Sequence, residues 1–183
     1  MQNLSMHILD IASNSIRAEA SLIQINMVDK ASCDEVSIEI IDNGKGMDEK
    51  TLLKVQDPFY TSRTTRKIGL GIPLFKELAE ACEGKFELES TVGVGTRIKA
   101  SMRKTHWDTP PHGDIGDAVI IALTANEEVH MIFTYTSDSE TFCFDSMEIK
   151  EVLGDVKIAT AEISMWCKDY INEGIKTCTE RVA

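Results

Sequence analysis

Val36-Ser37-Ile38-Glu39-Ile40-Ile41-Asp42-Asn43-Gly44-Lys45-Gly46-Met47 starts with the period-two alternation of a strand and ends in a turn with two glycines one residue apart. Such glycines permit a tight turn and let a flat ligand approach the backbone closely. Asp42 closes the strand, and Asp48 is placed to cap a short helix running through Val55. Upstream, Leu22-Ile23-Gln24-Ile25-Asn26-Met27-Val28 alternates in the same way, with Asp29 to Glu35 as the connection, so the two runs are expected to form an antiparallel pair.

Further toward the N-terminus, Leu4, Ile8, Ile11, Ala12 and Ile16 recur at helical spacing, which predicts an amphipathic helix over about residues 4–20. At 100° per residue its other face gathers His7, Asp10, Asn14 and Arg17 into one stripe, either a solvated face or a site. His7 is expected to be a helix-surface residue.

On the other side, Asp57-Pro58-Phe59 leads into Tyr60-Thr61-Ser62-Arg63-Thr64-Thr65-Arg66-Lys67, a polar and basic stretch without apolar periodicity that reads as a mobile loop. Gly69-Leu70-Gly71-Ile72-Pro73 then opens a helix, with Ile72, Phe75, Leu78, Ala79 and Cys82 on one face and Gly84 as its stop. Phe86 to Ser90 and Arg97 to Met102 alternate as strands around the glycine turn Thr91-Val92-Gly93-Val94-Gly95-Thr96. This order predicts an α+β fold, a two-layer sandwich of helices on a mixed, mostly antiparallel sheet.

Glycine-rich turns ahead of a helix favour an anion, because free N–H groups and the positive end of the helix dipole converge there. The usual phosphate loops do not fit. No Gly-x-x-x-x-Gly-Lys-Ser/Thr is present, and Gly44/Gly46, Gly69/Gly71 and Gly93/Gly95 each lack the third glycine of the dinucleotide fingerprint. The common protein-kinase loop sequences are missing as well.

Taken together, the motifs resemble the Bergerat-fold (GHKL) ATPases, the superfamily of type II topoisomerase, heat-shock chaperone, sensor histidine kinase and mismatch-repair ATPase domains. Asp10-Ile11-Ala12-Ser13-Asn14-Ser15-Ile16-Arg17-Ala18 resembles the family's Asn-bearing box, and Asp42-x-Gly44-x-Gly46-Met47 its adenine-binding box. Asp57-Pro58-Phe59-Tyr60-Thr61-Ser62-Arg63 with Gly69-Leu70-Gly71 resembles the phenylalanine box, ATP lid and second glycine box of histidine kinases, and Gly93-Val94-Gly95-Thr96 the last box. The resemblance covers about residues 4–103 and implies a histidine-kinase-like ATP-binding domain in a stand-alone form. It implies Asn14 as the Mg²⁺ ligand, an assignment that suits a hard amide oxygen. Asp42 would accept a hydrogen bond from the adenine N6 amine and so select adenine, with Thr96 supporting it through a shared water. Gly44, Gly46 and Met47 would border the base and Arg17 the nucleotide. Thr61, Ser62, Arg63, Arg66, Lys67, Gly69, Leu70 and Gly71 would close over the phosphates.

Two departures bear on chemistry. Related ATPases often carry a Glu four residues before the Asn as the base that orients water; Asp10 stands there, shorter by one methylene. A misplacement of about 1 Å can cost ~10²-fold in rate, so slow or absent hydrolysis is one expectation. Lys67-Ile68 also replaces a glycine that histidine kinases usually show ahead of Gly-Leu-Gly. Residues 1–3 leave no room for the helical domain that carries a phosphoacceptor histidine, so a kinase of this type is expected to act on another protein, as the stand-alone anti-sigma serine kinases do.

Composition bounds the rest. The chain has 183 residues, 43% hydrophobic and 27% charged, which suits one core or a domain with an extension and excludes a disordered tail. No apolar run reaches the ~20 residues of a membrane helix, and the N-terminus lacks signal-peptide character, so a cytoplasmic protein without membrane contact is expected. The five scattered cysteines form no Cys-x-x-Cys pair and read as reduced thiols. Net charge is −11, which argues against nucleic-acid binding. Residues 1–104 carry 14 Lys/Arg against 15 Asp/Glu, residues 105–183 only 5 against 15, with a Pro-rich boundary at His106 to Gly113. This division predicts an ATP-binding domain over 1–104 and an acidic α/β extension over 105–183 that chooses a partner. In the extension, Gly113 to Asn126 is open to helix or strand, Val129 to Thr136 and Thr141 to Asp145 read as a hairpin, and helices follow at about 146–153 and 160–180.

The leading expectation is a Mg-ATP-dependent kinase acting in trans or an ATPase. The alternative is a non-catalytic ATP switch that regulates a partner. A fragment of a topoisomerase- or chaperone-like motor fits less well, because those machines need a transducer domain and dimer arms.

Overall fold

A computed structural model describes residues 3–56 and 71–180. Its elements in chain order are α1 (Leu4–Arg17), β1 (Leu22–Lys30), β2 (Glu35–Asp42), α2 (Glu49–Lys54), α3 (Gly71–Ala81), β3 (Lys85–Thr91), β4 (Gly95–Arg103), α4 (Ile115–Ala125), β5 (His130–Thr136), β6 (Thr141–Asp145), α5 (Ser146–Leu153) and α6 (Ala161–Glu180). The stretch left open between helix and strand is α4. An aspartate at its N-cap, Asp114, accepts the Asp117 N–H at 2.9 Å and decides the matter locally. Asp48 caps α2 in the same way.

All six strands form one sheet in the order β3-β4-β2-β1-β5-β6. Every pair is antiparallel except β1 with β5, which run parallel from Leu22↔His130 to Val28↔Thr136. The alternation seen in the sequence sets the two faces. Ile23, Ile25 and Met27 of β1, Ile38 and Ile40 of β2, Ile98 and Ala100 of β4 and Met131 and Phe133 of β5 are buried beneath the helices. The opposite face is polar, with Arg97 bridging Glu39 and Glu87 at 2.7 and 3.0 Å. A mixed sheet covered by helices on its apolar face is the expected two-layer α+β sandwich.

The division near residue 105 takes a form that composition did not suggest. Residues beyond it extend the sheet through β5, and the buried side chains of both halves make one continuous core. The connection is tied down as well. Asp29 at the end of β1 is buried and meets Lys104 and His112, the latter at 3.0 Å, and accepts a hydrogen bond from the Tyr135 hydroxyl at 3.3 Å. Burial alone would raise the Asp29 carboxyl, but hydrogen bonds from His112 and Lys104 outweigh it and hold the group below its ordinary range.

His7 corrects an expectation. It is not on the helix surface but only 3% exposed, stacked on Phe75 of α3 with ring centroids 5.0 Å apart at 25°. Burial lowers its pKa from 6.5 to about 4, so the folded protein holds it neutral. Between those values the unfolded chain binds a proton that the folded one refuses, and stability therefore falls as pH drops from 6.5 toward 4. His7→Leu is expected to abolish about 2 kcal/mol of the stability lost between pH 7 and pH 5, at 1.36 kcal/mol per pKa unit, read from urea midpoints at the two pH values.

Candidate functional site

The site lies where β2 and β3 end and β4 begins, beside the C-terminal half of α1, with Asp10 of α1 against the start of α3. Asp42, Thr96 and Ser90 fall on the inward-facing register positions of these strands, with Asp42 directly opposite Thr96 and Thr96 opposite Ser90. Ser15 of α1 donates its hydroxyl to Asp42 Oδ2 at 2.6 Å, and the Gly44 N–H donates to Oδ1 at 2.9 Å. Asp42 is thus held by two protein donors and remains only partly buried. A carboxylate fixed in this way at a strand end is oriented before any ligand arrives.

The turn after Asp42 is bolted on three sides. Asn43 Oδ1 accepts the N–H groups of Ser21 and Leu22 at 2.9 and 2.8 Å. The Lys45 N–H donates to Ala18 O at 2.8 Å, and the Met47 N–H donates to Ser90 Oγ at 2.8 Å. The Ser90 hydroxyl also bonds Gly95 O at 3.0 Å and Thr96 Oγ1 at 2.9 Å, so one side chain ties the two glycine turns together. The glycines serve this junction. A Cβ on Gly44 would come within 2.7 Å of Ala18 O, and one on Gly46, whose φ is +64°, within 2.0 Å of Thr91 O. Two backbones meet at Gly46, and only a residue without a side chain lets them.

On α1, Asp10, Asn14 and Arg17 share the expected stripe. Arg17 Nη2 donates to Asn14 Oδ1. Asp10 reaches the first residue of α3, and a Cβ on Gly71 would overlap Asp10 Oδ2 at 1.7 Å. Gly71 therefore allows a carboxylate to sit at the positive end of a helix. Among the sequence candidates, Asp42, Gly44, Gly46, Met47 and Thr96 gather at this corner, Asp10 meets Gly71 on the α1 side, and Asn14 pairs with the exposed Arg17 next to Ser15, which ties α1 to Asp42. Thr61, Ser62, Arg63, Arg66, Lys67, Gly69 and Leu70 lie outside the described residues.

Ser15 and Ser90 were not singled out from the sequence. Their signal was present: Ser15 is a hydroxyl on the apolar face of α1, between Leu4 and Ile8 at 100° per residue, and Ser90 continues the inward set Phe86 and Leu88 of β3. On the other face of the sheet an open groove lined by Leu22, Gln24, Ile41 and Arg97 reaches Asp42 and Thr96 from behind. None of the α1 stripe residues lines it.

A family model described as "Histidine kinase-, DNA gyrase B-, and HSP90-like ATPase" matches residues 2–106, more than half of the chain. The chain belongs to that family. Its site corner carries the Asn14 box on α1, the Asp42-x-Gly44-x-Gly46 turn and the Gly95-Thr96 turn, all within the matched residues. Similar proteins include the sensor histidine kinase YvrG of Bacillus subtilis, 27% identical over 99 residues, covering 52% of this chain and 17% of the relative. The sensor protein kinase FleS of Pseudomonas aeruginosa is 35% identical over 89 residues, covering 49% of this chain and 22% of the relative. The chain thus spans less than a quarter of the length of these curated relatives. Among solved structures, the Aquifex aeolicus MutL ATPase domain complexed with ADP has the same fold, with a TM-score of 0.50 at 15% identity over 84% of this chain and 69% of the other. Histidine-kinase-like ATPase domain is accordingly the description of this fold. Among the described residues no helix is long and apolar enough to cross a membrane.

Proposed function

We propose that this protein binds Mg-ATP at the Asp42 corner and uses it either as a kinase acting in trans on another protein or as an ATPase. The observation that carries the reading is the preset Asp42 carboxylate, held by Ser15 and Gly44 at the mouth of a glycine turn. Adenine offers an N6 amine donor that a fixed acceptor of this kind can take, whereas guanine carries a carbonyl oxygen at the equivalent ring position.

The donor set also fits magnesium. Asn14 supplies one hard oxygen on the face of α1 that overlooks the start of α3, and Mg²⁺ needs few protein ligands when phosphates and water complete its shell. Asn14 Oδ1 now accepts a hydrogen bond from Arg17, so Arg17 would release the oxygen and pair with phosphate instead. The ion would supply charge neutralisation at the β- and γ-phosphates. Thr61, Ser62, Arg63, Arg66, Lys67, Gly69, Leu70 and Gly71 would close over them, as the family resemblance implies.

Asp10 is the base in this reading. In hydrolysis it would take a proton from water as the water oxygen bonds to the γ-phosphorus and ADP leaves. With a protein substrate, the proton would come from the acceptor side chain. Because its reach is one methylene shorter than that of a glutamate, turnover is expected to be slow. Asp10→Ala should lower phosphate release or phosphotransfer by about 10²-fold while leaving ATP affinity within threefold. Unchanged phosphate release in Asp10→Ala would remove Asp10 as the base. An ATP-dependent conformational change without turnover, equal in wild type and variant, would instead favour the non-catalytic switch. In either case the acidic residues beyond 104 would choose the partner, and their charge disfavours a nucleic acid in that role.

A further inference from the structure

α6 is the outermost helix of the layer. Cys167, Ile171 and Cys178 face the core. A second flank meets α4, where Asn172 Oδ1 accepts the Gly116 N–H at 3.0 Å and Lys168 pairs with Asp114 at 2.8 Å. At 100° per residue, the flank opposite α4 aligns Glu162, Trp166, Tyr170 and Glu173, with Asp169 at its border. This flank overhangs β6, whose Phe142 ring meets Tyr170 edge-on, centroids 5.3 Å apart. Gly174 makes that approach possible, since a Cβ there would lie 2.3 Å from the Phe142 ring.

Trp166 stacks on Tyr170 with centroids 5.4 Å apart and planes 4° from parallel, yet the two remain 52% and 42% exposed. Large aromatics stacked in water at a surface are the side chains that dominate binding when a partner covers them. Below them runs the edge of the sheet, because β6 has β5 as its single neighbour among the described residues. An edge strand offers main-chain donors and acceptors to any extended segment laid beside it.

We propose that the Trp166–Tyr170 flank of α6 and the edge of β6 together dock an extended, Lys/Arg-rich segment of a partner protein. The proposal rests on the trans-acting reading above and names the chemistry of its partner. Charge selects the occupant. Residues 105–183 carry 15 acidic against 5 basic side chains, and Glu162, Asp169 and Glu173 frame the aromatic pair. Cationic side chains gain both from the aromatic faces and from the carboxylates. A nucleic acid or an anionic membrane would bring phosphate against this acid, and a second copy of a chain of net charge −11 would bring acid against acid.

The test uses the full chain and two fluorescein-labelled 12-residue peptides, one alternating Lys/Arg with Val/Leu and a control with Glu in place of each cation. Fluorescence anisotropy is expected to show binding of the basic peptide alone, weakening at least tenfold in Trp166→Ala and in Glu162→Gln/Glu173→Gln. In a Trp107→Phe background, where Trp166 is the sole tryptophan, the basic peptide should shift its emission. Circular dichroism should be unchanged, since these side chains are exposed. No binding of the basic peptide, equal binding by Trp166→Ala, or equal binding of the acidic control would overturn the proposal. So would self-association that Trp166→Ala abolishes and the basic peptide fails to displace. ATP affinity measured on the same samples separates the two readings: loss of ATP binding with peptide docking retained removes the nucleotide reading and leaves the surface standing.

Discussion

Asp42→Asn is expected to lower ATP affinity by about 10³-fold without unfolding the protein. The carboxylate offers acceptors only, and two are already engaged by Ser15 Oγ and the Gly44 N–H. An asparagine must turn its NH₂ either toward one of those donors or toward the adenine amine. Toward the Gly44 N–H or the adenine amine this sets donor against donor in a partly buried corner, toward Ser15 it requires the hydroxyl to turn and accept, and in every orientation the charge-assisted bond to the base is lost. These contributions together come to roughly 4 kcal/mol, and every 1.4 kcal/mol is a factor of ten. Calorimetric titration with ATP and a thermal melt of the same variant check the two halves of the statement. Tight ATP binding by a folded Asp42→Asn protein would mean that the base is held elsewhere.

Gly95→Ala is expected to be the most destabilising single methyl at the Asp42 corner. Gly95 has φ +135°, a conformation that side chains rarely adopt, and its Cβ would lie 1.9 Å from Asp42 O and 2.8 Å from Asp42 C. Both obstacles are backbone of the neighbouring strand, so no rotamer change relieves them. β2 and β4 must separate where Asp42 pairs with Thr96, with the Ser90 hydroxyl bonds to Gly95 and Thr96 disrupted. Strain of this type costs about 1–3 kcal/mol before the overlap is counted, and a total of about 4 kcal/mol is expected. For a chain of this size, that corresponds to a fall of roughly 10 °C in Tm, measured by calorimetry. Gly93 offers the control. Its φ is +75°, but no atom lies within 4 Å of a Cβ built there, so Gly93→Ala should show the conformational cost alone.

The contrast between these glycines explains how much of the molecule was legible in its sequence. Strands, helices and the antiparallel pairs were readable because each follows a local period: Ile23, Ile25 and Met27 alternate inward, and Leu4, Ile8 and Ile11 recur along one helical face. The motif residues Asp10, Asn14, Asp42 and Gly71 were readable as a set, and the structure sets Asp10 against Gly71 and ties α1 to Asp42 through Ser15. What stayed hidden depends on contacts between distant segments. Nothing local marks β5 as the parallel neighbour of β1, because its alternation suits either direction. His7 sits on the polar stripe by arithmetic, yet α3 crosses there and buries it against Phe75. Ser15 and Ser90 are ordinary serines until the strand register sets Asp42 and Met47 beside them. Gly46 reads as space for a ligand, and its second duty, bringing the β3–β4 turn against the β2 turn, shows only in the structure.

A nucleotide site built on Asp42 makes one comparison decisive: calorimetric titration of the wild-type protein with ATP and with GTP, each in the presence of Mg²⁺. The account predicts saturable ATP binding that chelation of Mg²⁺ weakens, and GTP binding at least a hundredfold weaker, because guanine brings an acceptor where the Asp42 carboxylate needs a donor. Equal affinity for the two nucleotides, or no ATP binding by folded protein, would contradict it.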